Sequence, residues 1–82
     1  MVREEWRQLG DYQISNMGCI RTRTGRVLKG SKHHSGHIFI HTPKGKVSVA
    51  VLVADAFLGG AGRVYHKNGD LSDNRVSNLE RR

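Results

Sequence analysis

Eighty-two residues with 37% hydrophobic content and five aromatic side chains can bury only a small core, so one domain over 1–82 is expected. A single cysteine, Cys19, excludes an internal disulfide and a thiolate zinc site, and suits a reducing compartment. The longest apolar run, 49–54, is too short to cross a bilayer, and no charged segment followed by an apolar one opens the chain. The formal net charge of +7 points to a polyanionic partner.

The first elements are short strands. Residues 12–15 alternate apolar and polar and run into the turn 16–18, after the segment Glu4-Glu5-Trp6-Arg7. Residues 19–23 read as a second strand, with Cys19, Arg21 and Arg23 on one face. Thr24-Gly25 turns the chain into a third strand at 26–29, and 30–36 reads as a loop.

Residues 37–41 alternate again, and Pro43 with Gly45 marks a turn into a return strand at 46–49. The period then changes. Val49, Leu52, Val53, Ala56 and Phe57 fall on one helical stripe, with Ser48 as N-cap and Gly59-Gly60 as the stop. Near the end, Val64-Tyr65 leads as a strand into His66, followed by a loop rich in Gly, Asn and Asp and a return strand at 76–79. Such a loop fixes the histidine and places Asn78 nearby to brace it. The expected fold is α+β: short antiparallel β-hairpins packed on one central α-helix, ending in a small finger.

Charge is unevenly distributed. Between positions 21 and 46 lie seven cations, Arg21, Arg23, Arg26, Lys29, Lys32, Lys44 and Lys46, and no acid. A solvated face normally mixes its signs, so this window reads as a nucleic-acid contact, with no membrane partner because no basic amphipathic helix is visible. Arg21 and Arg23 are the best placed to enter a groove, and a two-stranded ribbon fits the major groove of double-stranded DNA. His33, His34, His37 and His41 lack a cysteine or carboxylate at ligand spacing, so they read as phosphate-facing rather than metal-binding. No metal site is expected.

Two stretches resemble a known family. Tyr65, His66, Gly69, Asp73-Asn74 and Asn78-Leu79 resemble the centre of the HNH motif of phage homing endonucleases. Trp6, Tyr12, Ile14, Ser15, Asn16, Gly18, Ile20 and Arg21 resemble the small modular DNA-binding motif that often precedes such domains, with Cys19 as the departure. The resemblance implies an N-terminal DNA-binding β motif over 1–32 and a hairpin, helix and truncated ββα-metal-like finger over 37–82. It also implies His66 as general base in a cleaving form, Asn78 as its brace, Mg²⁺ as the cation of that form, and the cytoplasm of a phage-infected bacterium as its place.

The edges of the motif depart from the family. Tyr65 stands where the family carries a metal ligand, and Ala50-Val51 where it carries an upstream histidine. The helix that would bring a second ligand has no counterpart, because the sequence ends four residues after Asn78. The expectation is a basic DNA-binding protein without cleavage and with no cofactor. The alternatives are a divalent-metal-dependent nickase that completes its site as a homodimer, and an inhibitor that binds a protein partner.

Overall fold

In a computed structural model describing residues 3–82, the chain opens with four strands in one antiparallel meander. They are β1 (Trp6–Leu9), β2 (Tyr12–Ser15), β3 (Ile20–Thr22) and β4 (Val27–Leu28). A second antiparallel sheet holds β5 (Ser31–Lys32), β6 (Ile38–Thr42) and β7 (Gly45–Ser48). The helix α1 (Val49–Phe57) follows without a break. A two-stranded sheet, β8 (Val64–His66) with β9 (Leu79–Arg81), closes the chain, and a 3-10 turn at Val76–Asn78 leads into β9. The architecture is α+β, three small antiparallel sheets on one central helix.

Residues from every layer meet in one core. Register places Ile14 opposite Ile20, and Ile20 opposite Leu28, on the inner face of the first sheet. Ile40 enters from the second sheet, Val49 and Val53 from α1, and Leu79 from the third, all buried. Helix α1 touches β1, β2, β6, β7, β8 and β9. Nine residues, three of them valine, make a helix too short and too β-branched to stand alone in water, so burial rather than propensity holds it. None of the described helices is long and apolar enough to cross a membrane.

One helix end departs from the sequence expectation and the other meets it. Ser48 occupies the N-cap position in extended conformation, but its hydroxyl makes no capping bond. At the other end Gly59 adopts φ +64° and its N–H reaches Ala54 O, closing the last turn. Arg7 of β1 donates to Ala56 O at 3.1 Å and lies 4.6 Å above the Phe57 ring, a cation at the negative end of the helix.

Other details differ from expectation for tertiary reasons. Residues 6–9 form a strand because β2 supplies their partners, from Trp6 opposite Ser15 to Leu9 opposite Tyr12. The 30–36 segment contains β5, recruited by Phe39 and Ile38 of β6. Arg23 belongs to the turn after β3, so it does not share a strand face with Arg21. Segment 76–78 coils into a 3-10 turn, and pairing with β8 begins at Leu79 opposite His66.

Candidate functional site

His66 ends β8, where the chain leaves the sheet for the loop 67–75. Its Nε2 lies 2.8 Å from Asn74 Oδ1. An amide oxygen only accepts, so Nε2 is the donor in this arrangement. Asn74 is buried, and it fixes the imidazole from one side.

Asn78 acts on the loop rather than on the ring. Its Oδ1 accepts from Asn68 N at 3.1 Å, and its Nδ2 donates to Asn68 Oδ1 at 3.0 Å and Asp73 O at 2.9 Å. Lys67 N donates to Asn78 O at 2.7 Å, and Gly69, at φ +78°, donates its N–H to His66 O. The contact to the histidine thus comes from Asn74, whose place in the Asp73-Asn74 pair was the only sequence signal for it. No buried side-chain nitrogen or oxygen among the described residues lacks a partner.

The first sheet buttresses this finger. Asn16 O accepts from Val76 N at 2.8 Å, while Asn16 itself grips the incoming chain through Arg3 O and Glu5 N. Gly18 takes φ +88°, and a Cβ there would lie 3.0 Å from Asn74 O. The 15–18 turn therefore presses directly on the residue that holds His66.

The loop carboxylates are already engaged. Asp73 accepts from Arg75 Nε at 2.8 Å and Nη2 at 2.7 Å and from Asn68 Nδ2 at 3.1 Å. Those bonds, Arg75's foremost, hold its carboxyl down to about 2. Asp70 accepts from the Ser72 hydroxyl and N–H, which lowers its pKa as well. Tyr65, beside His66 in sequence, lies under the Arg82 guanidinium at 4.7 Å. A hard divalent cation wants several free oxygen ligands, and this donor set does not offer them. Among the described residues no three His, Cys, Asp or Glu side chains converge.

The seven cations of the 21–46 window do not form one cluster. The Arg21 guanidinium lies over the Trp6 ring, 3.9 Å from its centroid, and its Nε donates to Gln13 Oε1. Lys44 occupies the β6–β7 turn and borders a groove with residues 9–12 of the first sheet. Arg26 and Lys29 line one groove with His41, and Lys32 and Lys46 line a second with His33 and His41. His41 is common to both, so the two grooves adjoin there as a basic strip. Arg23 is exposed in its turn. His37 and His66 face each other with ring centroids 6.1 Å apart, in a cleft that Ser48, Ala50 and Arg63 also line.

Comparison with protein-family models and with curated protein sequences yields no match. Among solved structures, the HNH homing endonuclease I-HmuI, a protein that binds and cleaves DNA, matches with a TM-score of 0.79 and 32% identity. The match covers 92% of this chain and 50% of that one, so the chain spans about half the length of the protein it resembles. A histidine finger braced by amides, a buttressing N-terminal sheet and this likeness converge: the chain resembles half of an HNH homing endonuclease.

Proposed function

We propose that the protein binds duplex DNA through its basic strip and does not cleave it. The carrying observation is that Arg26, Lys29, Lys32 and Lys46 line two grooves that share His41. Such a strip meets the phosphate backbone without reading sequence. The likeness to half of a DNA-binding and DNA-cleaving protein supports the same reading.

The absence of cleavage follows from the donor set around His66. A histidine can activate water beside a phosphodiester, but in this chemistry a cation carries the charge that develops on phosphate and leaving oxygen. Tyr65 is a neutral phenol, the Asn74 oxygen is taken by His66, and Asp70 and Asp73 are committed to Ser72, Arg75 and Asn68. Mg²⁺ does not fit these residues.

Supercoiled plasmid tests both halves of the proposal on one gel, with and without Mg²⁺ or Mn²⁺. Retardation without nicking is expected, weakened by Lys32→Ala with Lys46→Ala. Metal-dependent nicking lost in His66→Ala would overturn the non-cleaving half. No retardation, together with salt-insensitive capture of a stoichiometric protein partner, would overturn the DNA-binding half.

A further inference from the structure

Phe39 is an aromatic residue that the core does not use. It sits mid-strand in β6, half-buried, yet it is absent from the hydrophobic cluster that Ile38 and Ile40 on either side of it join. Strand alternation explains the division: Ile38 and Ile40 turn inward, while Phe39 shares the outer face with its neighbour-but-one His41. Cross-strand partners Ser31 and Ser48 are too small to cover the ring.

Beyond those serines, the groups that approach the ring are cationic or aromatic. Lys46 Nζ lies 4.7 Å above its centroid, the His33 ring meets it edge-on at 6.0 Å, and the His37 ring stands 6.2 Å away. The shallow cavity over this face has a volume of about 210 Å³ and is lined by Ser31, Lys32, His33, Phe39, His41 and Lys46, with no acid among them. His37 stands between Phe39 and His66, at 6.2 and 6.1 Å ring to ring, and so connects the cavity to the histidine cleft.

We propose that this outer face of the β5–β6–β7 sheet is a stacking site for an unpaired nucleobase of DNA, with Phe39 as the platform and Lys32 and Lys46 holding the adjoining phosphates. The proposal rests on the nucleic-acid reading above and adds a ligand class to its strip. A duplex shows a protein only base edges and phosphates, so a ring recessed in a sheet gains nothing from it. A base out of its stack presents a π-face, which an aromatic ring on a sheet accepts whatever the base is. Lys46 covers the ring through a single exposed cation–π contact, a weak one that a flexible side chain gives up easily. Displaced from the ring, its ammonium is free for the phosphate.

Fluorescence anisotropy separates this site from a bare charge effect. The probes are a short labelled thymidine oligonucleotide, an abasic strand of the same length, and a duplex. The wild-type protein is expected to bind the thymidine strand about tenfold more tightly than the abasic strand, the size of one aromatic–base stack. Phe39→Ala removes that preference, Phe39→Trp keeps it, and both leave duplex affinity within about twofold. Equal binding of thymidine and abasic strands by the wild type overturns the proposal, with no variant needed, and so does the absence of single-strand binding. Base preference surviving Phe39→Ala overturns it too. Base-dependent single-strand binding without duplex binding upholds the platform and sinks the duplex reading; duplex binding without base dependence does the reverse.

Discussion

Asn78 is 7% exposed and spends its whole amide on the loop that carries Asn74, through three hydrogen bonds to Asn68 and Asp73. Truncation to alanine leaves a backbone N–H and a carbonyl of that loop without their partners in a half-buried setting. The expected loss is about 2–3 kcal/mol of stability, read from urea unfolding at neutral pH. A cost within about 0.5 kcal/mol of zero, the usual size of a surface substitution, would mean the loop is held by something else. Asp73 gives a pH-dependent counterpart. Its carboxyl is held down to about 2 chiefly by the hydrogen bond from Arg75, so the folded state favours the ionised form. The sign follows from linkage: the contribution is complete above the ordinary carboxylate range, near about 4, and is lost as pH falls through about 2. Wild-type protein is therefore expected to lose urea resistance between those limits more steeply than Asp73→Asn. The gap narrows in high salt because Arg75 is more than half exposed. Parallel curves for the two proteins would refute the assignment.

Between elements, the decisive contact is the 15–18 turn against the histidine finger. Gly18 combines φ +88° with a space in which a Cβ would meet Asn74 O at 3.0 Å and Asn74 C at 3.1 Å. Gly25 has a similar φ of +93° and nothing within 4 Å. Both alanine variants carry backbone strain, and only Gly18→Ala also collides. Gly25→Ala is expected to cost about 1 kcal/mol, and Gly18→Ala about 1–2 kcal/mol more, with the His66 ring resonances shifting only in the latter. Equal costs and an undisturbed histidine would deny the coupling. This contact also marks the limit of what the sequence could disclose. Periodicity disclosed β2, β6 and α1, because each has a local pattern, apolar at every second position or on one helical stripe. It missed β1, whose Arg7 and Gln8 give no alternation and which forms only because β2 offers partners. It read 76–79 as a strand because Val76 and Leu79 look alike in sequence, whereas Asn78 must turn inward toward Asn68 and the backbone coils to let it. His66, Gly69 and Asn78 were legible as motif positions. The bond from His66 to Asn74 was not, since it depends on how an eight-residue separation closes.

Across the whole molecule, charge along the chain and charge in space are different quantities, and DNA responds to the second. Of the seven cations in the 21–46 window, four line the joined grooves: Arg26, Lys29, Lys32 and Lys46. Arg21 is bound to Trp6 and Gln13, and Lys44 borders a separate groove with the first sheet. Each phosphate neutralised on duplex DNA contributes about −0.9 to the slope of log K against log salt. If all seven cations engaged, the slope would be about −6; a strip of four gives about −3.6, and about −4.5 if exposed Arg23 joins it. The measurement is a salt titration of duplex affinity for the wild type, Lys46→Ala and Lys44→Ala, two lysines only two positions apart on one hairpin. Lys46→Ala is expected to flatten the slope by about one unit and Lys44→Ala to leave it nearly unchanged. Equal flattening would show a footprint that wraps the β6–β7 turn, and the strip would no longer describe how the protein meets DNA. Unequal flattening in the expected order ties the affinity to the groove beside Phe39, through a lysine whose ammonium already rests on that ring.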